Sequence, residues 1–239
     1  MTDLLDLAVA AHGGLDRFNQ FKTVSAHVVL GGRLWALKGQ DRVLSNVRVT
    51  VDLHREHASL APFKLPNQRT AFTPQRVAVE TTEGAVVEER TNPRAAFAGH
   101  TLQTPWDDLH LIYFASYTMW TYLTVPFCLT QAGFGVAQIE PWQEQDETWR
   151  RLWVRFPPSI ASHSTEQTFY FGADGLLRRH DYEVEIAGTT PAAHYVSDYQ
   201  DVSGIMLPTK RRVFLRQPDN TPALDSVFLS IDLSDIRFA

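Results

Sequence analysis

Five consecutive residues, Arg178-Arg179-His180-Asp181-Tyr182, could take part in acid-base chemistry. Successive side chains on a β-strand point to opposite faces, so His180 and Asp181 cannot form a side-by-side dyad on a regular strand. We expect one face to carry His180 and Tyr182. The other face is expected to be solvated and to carry Arg179, Asp181, Glu183 and Glu185. His180 is the best candidate acid or base because the reference pKa of histidine, about 6.5, lies near neutral pH.

The strand that follows, at residues 192 to 199, determines which side chains lie beside His180. Matching apolar positions to apolar positions places Tyr195, Ser197 and Tyr199 beside His180 and Tyr182. This register predicts an inner wall of aromatic rings and hydroxyl groups with one histidine. Tyrosine and histidine in such a wall either bury their rings as structural residues or orient a ligand with their polar tips.

The other motifs do not favour a metal site or a nucleophile. His54 and His57 are three steps apart along an extended chain and would converge only across a turn. The patterns HExxH, CxxC and GxSxG do not occur. Cys128, the only cysteine, follows Pro126 and Phe127 in an apolar setting that is typical of a buried structural thiol. We therefore predict no metal and no cofactor.

The elements that position these side chains follow from the hydrophobic periodicity. An N-terminal helix is predicted over residues 2 to 12, with Thr2 as a possible N-cap. Strands are predicted over residues 23 to 90, including one from Arg33 to Lys38, and again over residues 135 to 238. A central helix is predicted over residues 105 to 125, with Thr104 as its cap. The connections are short, so about a dozen strands pair as antiparallel neighbours in a single domain, residues 1 to 239.

The central helix carries two stripes on opposite sides. One is largely aliphatic; the other is aromatic with polar tips and consists of Trp106, His110, Tyr113, Tyr117, Trp120 and Thr124. A closed barrel and an open sheet both fit the strand list. A strongly curved half-barrel needs apolar residues on its concave side, and the helix supplies them. The predicted fold is therefore mainly β, wrapped around this helix. The candidate ligand-binding residues are Trp106, His110, Tyr113, Tyr117, Trp120, His180, Tyr182, Tyr195 and Tyr199.

Composition narrows the partners and the location. The 239 residues are 44% hydrophobic, enough for one sizeable core, and the net charge of -5 gives no general field for a phosphate backbone. We expect no nucleic-acid partner. The N-terminal segment has acidic residues within its apolar run and lacks the basic start of a signal peptide. Residues 109 to 130 could span a bilayer by length, but hydroxyl groups and Pro126 interrupt them. We expect a buried helix, no integral membrane segment and a cytoplasmic protein.

The order of elements resembles a known fold. An N-terminal helix, antiparallel strands, a helix plugging the sheet and a last strand SVFLSIDLSDIRF resemble the lipoprotein-carrier proteins LolA and LolB. AHGGLDRFNQFKTVSA at residues 11 to 26 is similar to the start of many LolA-like domains, and PTKRRVFLR at residues 208 to 216 resembles their penultimate strand. Longer phrases, such as WDDLHLIYFASYTMWTYLTVPF, resemble a bacterial cytosolic branch without an export signal. The resemblance implies a half-barrel that holds acyl chains, and it implies no catalytic residue.

Three functions fit these observations. The first is a soluble half-barrel that binds an apolar or aromatic small molecule or a lipid between sheet and helix. The second is an enzyme, such as a hydrolase, isomerase or cyclase, that uses His180 with Tyr182 or His110 on such a ligand. The third is a structural or partner-binding domain whose helix fills the sheet. An empty, polar-lined cavity would favour the first two, and a solid core the third. The oligomeric state stays open.

Overall fold

The computed structural model describes residues 3–41 and 43–239, and all strands within these ranges join one antiparallel sheet. The strands are β1 (Thr23–Gly31), β2 (Val47–Asp52), β3 (Ala58–Ala61), β4 (Gln68–Thr73), β5 (Arg76–Thr81), β6 (Val86–Thr91), β7 (Gly135–Glu144), β8 (Glu147–Arg155), β9 (Glu166–Phe171), β10 (Leu177–Val184), β11 (Thr190–Val202), β12 (Ile205–Leu215) and β13 (Leu229–Phe238). The helices are α1 (Asp3–Ala11), α2 (Leu15–Phe18), α3 (Leu34–Leu37) and α4 (Asp108–Thr124). Short 3₁₀ turns lie at Pro93–Phe97, Phe127–Thr130 and Glu185–Ala187.

The sheet is open, with β6 at one edge and β7 at the other. Its order is β6-β5-β4-β3-β2-β1-β13-β12-β11-β10-β9-β8-β7, so the first and last strands pair in the middle. The chain runs from the centre to one edge, crosses to the other edge through α4, and returns strand by strand. This topology confirms the predicted mainly β, curved antiparallel sheet around a central helix.

Helix α4 is buried from its second residue to its end. Every residue from Leu109 to Thr124 is buried, because the curved sheet surrounds the helix on several sides. A helix that is enclosed in this way needs no polar face. Among the described residues, no helix is long and apolar enough to cross a membrane.

The start of α4 differs from the prediction. Asp107, not Thr104, is the N-cap: its carboxylate accepts the backbone N–H of His110 at 2.8 Å, and the His110 ring accepts the Asp107 N–H in return. This reciprocal capping box satisfies two otherwise unpaired N–H groups. The helix ends at Thr124, two residues before Pro126, as the missing N–H of proline predicts.

Two predictions in the first half of the sheet are wrong. Residues 33 to 38 are not a strand, because Leu34 and Trp35 are adjacent and both buried, and a strand would turn one of them outward. The single turn of α3 turns both inward. Strand β4 was not predicted, since its polar residues mask a short alternation that buries Thr70 and Phe72. The N-terminal helix is found at Asp3–Ala11; the predicted cap, Thr2, lies outside the described residues.

Candidate functional site

An apolar pocket lies between helix α4 and strands β10 to β13. Side chains from helices, strands and loops line it, among them Leu34, Trp106, Phe114, Tyr182, Val213 and Phe228. Its volume is about 20 Å³, which is room for a single water molecule. The rings of His163 and Tyr182 also line it and connect it to the polar groups described below. The space between sheet and helix is therefore nearly filled in this conformation, as expected of the third function, and a ligand would fit only if the cover of this space moved.

The pocket is covered by α3 and by the loop of residues 98 to 107, and Lys38 ties the two together. Its ammonium donates to the carbonyls of Thr101, Leu102 and Thr104 at 3.1, 2.8 and 3.2 Å, and lies 4.5 Å from the centre of the Trp106 ring. Burial lowers the pKa of Lys38 to about 8, whereas the three carbonyls favour the protonated form. Lys38 therefore holds α3 and the covering loop together.

A hydrogen-bonded chain of tyrosines and one histidine runs beside the pocket. His163, in the loop between β8 and β9, bonds the hydroxyl of Tyr117 through Nδ1 at 3.1 Å and that of Tyr122 through Nε2 at 2.9 Å. Tyr122 and Tyr182 share a further bond of 3.0 Å between their hydroxyls. Burial lowers the pKa of His163 and raises those of the three tyrosines, so every member is neutral at pH 7.

His180 faces inward, as its strand pattern predicted. It is 1% exposed, its ring stacks on Phe169 with centroids 4.0 Å apart, and its Nε2 bonds the Gln167 Oε1 at 2.6 Å. Because the amide oxygen can only accept, His180 Nε2 carries the proton. Desolvation lowers the pKa of His180 well below its usual range. A substrate would reach this imidazole only if the surrounding rings moved.

The opposite face of β10 is buried at Arg179 and Asp181, which corrects the prediction there; Glu183 is half-buried, and Glu185, just beyond the strand, is exposed as predicted. Arg179 is fully buried and donates to both carboxylate oxygens of Asp181 at 2.7 and 2.8 Å. Asp181 also accepts the hydroxyl of Tyr170 at 2.8 Å, and Arg179 donates to the hydroxyl of Tyr195 at 3.0 Å. The ring of Trp142, from the edge strand β7, lies 5.6 Å from the guanidinium. The hairpin of β7 and β8 at the edge of the sheet thus covers this ion pair, which the alternation of side chains alone would place at the protein surface.

The predicted register of β10 and β11 is wrong. Arg179 lies opposite Tyr195, and His180 lies opposite His194. Tyr195 therefore points outward with Arg179, and His194 takes the inward place beside His180. Tyr199 does point inward, because Asp198 adopts a left-handed φ of 57° and interrupts the alternation. Its hydroxyl donates to the Leu177 carbonyl at 2.8 Å.

The predicted helix stripe is distributed among different surroundings. Tyr117 joins the hydrogen-bonded chain and Trp106 lines the pocket. Trp120 donates from Nε1 to the Asp52 carbonyl at 2.9 Å, on the side of the first strands. Tyr113 packs against the ring of Phe72. His110, a proposed partner of His180, is occupied in the cap of α4 and bonds the Ala96 carbonyl at 3.2 Å. The structure thus brings together His180, Tyr182 and Tyr117, but not His110 or Tyr195.

Sequence reasoning missed His163, His194, Tyr122 and Arg211. Arg211 had a readable signal: it stands in phase with Leu207, Thr209 and Val213, all buried on the inner face of β12. A charged residue inside a buried alternation indicates a special environment. His163 had no such signal, because it lies in an irregular loop.

A second, wetter cleft opens beside Arg94 and Glu185. It measures about 500 Å³, and Arg94 crosses it to bond the Ser162 carbonyl at 2.9 Å and Glu185 at 2.5 Å. Glu56 accepts the Ala161 N–H at 2.8 Å, and burial raises its pKa. Within residues 3–41 and 43–239, no three His, Cys, Asp or Glu side chains converge as metal ligands.

No protein-family profile and no curated protein sequence matches this chain. Solved structures do match it over nearly its whole length. A LolA superfamily protein from Nitrosomonas europaea has a TM-score of 0.53 at 10% identity, covering 97% of this chain and 92% of that one. A DUF1329 family protein from Desulfovibrio piger has a TM-score of 0.52 at 13% identity, covering 98% and 91%.

A third match is a domain assigned to the outer membrane lipoprotein-sorting proteins, from Vibrio parahaemolyticus. Its TM-score is 0.53 at 8% identity, and the match covers 98% of this chain and 91% of that one. At such low identities the likeness concerns the path of the backbone. Together with the open sheet wrapped around α4, it shows that this chain has the LolA-like fold.

Proposed function

We propose that this protein binds an apolar small molecule or lipid between its sheet and helix α4. The observation that carries the proposal is the apolar pocket beneath a cover that is held by hydrogen bonds of Lys38 and Gln40 to the loop. Ligand sites in proteins are concave and mostly apolar, with a few polar groups that fix orientation. The lipoprotein-sorting assignment of one structural relative supports the same class of ligand.

The cover must move for a ligand to bind, because 20 Å³ is far below the roughly 300 Å³ of a small-molecule site. Gly39 follows α3 and Gly99 begins the covering loop, with φ of 68° and 77°. A Cβ added at either glycine would meet no other atom within 4 Å, so both sit in open space. These two glycines are the hinges of the proposed movement, which opens the cover by releasing Lys38 from its three carbonyls and Gln40 from the carbonyl of Trp106.

A matched pair of valine substitutions tests the proposal. Val213 lines the pocket on β12, whereas Val29 is 44% exposed on β1 of the same sheet. Nile red, a neutral dye, is titrated into each protein, and its fluorescence reports binding. Val213→Phe fills the pocket and is expected to weaken the affinity about tenfold or more, a cost of about 1.4 kcal/mol. Val29→Phe adds the same ring outside and leaves the affinity unchanged.

The fold of each variant is checked by circular dichroism, since an added ring in a packed core costs about 1 to 3 kcal/mol. Nile red that binds a folded Val213→Phe as tightly as the wild type would contradict the proposal. So would an equal loss in both variants, because that result would place the dye on the outer surface.

A further inference from the structure

Two buried side chains beyond the apolar pocket have nitrogens without partners among the described residues. Arg211, on β12, is 2% exposed; its Nη2 donates to the Tyr122 carbonyl at 2.6 Å, but its Nε has no acceptor. His194, on β11, is fully buried, and neither ring nitrogen has a partner. Each unpaired buried polar group costs about 1 to 3 kcal/mol. Both residues therefore indicate a missing partner.

The charge at this place also has no counter-ion; the guanidinium carbon lies 4.8 Å from the centre of the Tyr122 ring, which is a weaker, cation–π contact. No carboxylate of residues 3–41 or 43–239 forms an ion pair with Arg211, and its electrostatic neighbours are the hydroxyls of Tyr122, Tyr182 and Tyr199. Burial lowers the pKa of Arg211 to about 10, which leaves the guanidinium protonated at neutral pH. Desolvation keeps His194 neutral. A buried charge without a counter-ion is costly, so an anion that arrives here is strongly favoured.

The strand register places this pair beside residues that line the pocket, although neither of the two lines it. Ala192 and Val213 line the pocket, and His194 is the residue directly across from Val213. Arg211 is two residues from Val213 on the same face, a separation of about 7 Å along a strand. Tyr182 belongs to both regions, because it lines the pocket and its ring centroid lies 6.2 Å from that of His194. An apolar chain in the pocket would thus end close to Arg211.

We propose that the ligand is a long-chain carboxylate whose chain fills the apolar pocket and whose carboxylate binds Arg211. His194 and the hydroxyl of Tyr182 supply further donors. This inference rests on the proposed function and names the head group of its ligand. One uncompensated cation matches one monoanion, and the planar guanidinium suits a carboxylate through two parallel hydrogen bonds. A neutral alcohol of equal length would leave the Arg211 charge unpaired.

Dodecanoate and 1-dodecanol test the head group, because they share the chain and differ at its end. Each is titrated against Nile red in wild type, Arg211→Met and Lys210→Met. Lys210 is the matched control, since it precedes Arg211 but points outward to Asp198. Wild type and Lys210→Met are expected to bind dodecanoate about tenfold or more tightly than dodecanol, the worth of about one charge-assisted hydrogen bond. Arg211→Met is expected to lose this preference and to bind dodecanoate no more tightly than dodecanol, because the carboxylate then has no counter-ion.

Each outcome distinguishes a failure of the head-group assignment from a failure of the proposed binding pocket. Equal binding of both ligands to wild type overturns the inference and leaves the proposed function standing, whereas binding of neither overturns both. A preference for dodecanoate that survives Arg211→Met also overturns the inference. If Arg211→Met does not fold, Tyr182→Phe takes its place: it keeps the ring and removes one donor. It is expected to weaken dodecanoate binding several-fold and dodecanol binding not at all, and an unchanged dodecanoate affinity refutes the inference.

Discussion

Mild acid should destabilise this protein through its buried histidines. His12, His163, His180 and His194 are each at most 2% exposed, and burial lowers the pKa of each, to about 4 for His12. An unfolded chain takes up their protons near the reference pKa of about 6.5, while the folded chain does not. Because the unfolded state binds more protons, stability is lost as pH falls below about 6.5.

The size of the effect follows from this linkage. On going from pH 7.5 to 5.5, each histidine that stays neutral in the folded state costs about 1.4 kcal/mol, so these four cost about 5 to 6 kcal/mol. Glu56 acts in the opposite direction, because burial raises its pKa and the folded state retains a proton that the unfolded state releases. Over two pH units this offsets up to about 2.7 kcal/mol. We expect a net loss of about 3 kcal/mol, a large share of a typical total stability.

Urea unfolding at the two pH values, followed by tryptophan fluorescence, measures this loss. His194→Leu should reduce the loss by about 1.4 kcal/mol, since one proton uptake is removed. Glu56→Gln should enlarge it. His57, which is exposed, provides the control: water reaches its imidazole in both states, so His57→Gln should leave the loss unchanged. If His194→Leu loses as much stability between pH 7.5 and pH 5.5 as the wild type does, then His194 is protonated or hydrated inside the folded protein. Our account of that residue is then wrong.

Three further predictions concern stability and reactivity. Arg179→Met should destabilise the protein by about 3 kcal/mol in urea unfolding, because the buried carboxylate of Asp181 loses its two-point partner and keeps only the Tyr170 hydroxyl and the more distant Arg216; a loss below about 1 kcal/mol would mean that Asp181 takes up a proton instead. Asp107→Ala removes the cap of α4 and should cost about 1 kcal/mol, whereas Asp108→Asn, which loses only a partly exposed ion pair, should cost less than about 0.5 kcal/mol; equal losses would contradict this order. Cys128 is fully buried and burial raises its pKa to about 12, so a disulfide reagent should modify it only in denaturant, and rapid reaction in buffer would refute this.

Local patterns were sufficient for most of the secondary structure. The alternation in β2 predicted which of its side chains are buried, and the inward facing of His180 and Tyr182 followed from the same rule. These features depend on neighbours along the chain, which a sequence displays directly. The curved sheet around a central helix followed from the short connections and from the apolar side chains that the helix supplies to the concave side.

The contents of the candidate site depended on contacts between distant segments. The register of β11 was mispredicted because apolar matching assumes that polar residues face water, whereas His194 and Arg211 are polar and buried. Arg179 and Asp181 were assigned to solvent because nothing near them in sequence announces Trp142, which covers them from another strand. A polar residue that is buried by a remote element leaves no periodic pattern in its own strand. The alternation of side chains along that strand therefore cannot reveal its burial.

The pairing of β1 with β13 has a consequence for how the chain folds during synthesis. β13 is the only strand that joins β1 to β12 among the described residues, so the sheet consists of two halves until residues 229–238 are available. A ribosome-bound chain therefore exposes two unpaired strand edges at the future centre of the molecule, and these edges can recruit other chains. A premature stop before β13 would leave them open permanently. The arrival of residues 229–238 thus protects the two inner edges from pairing with other chains.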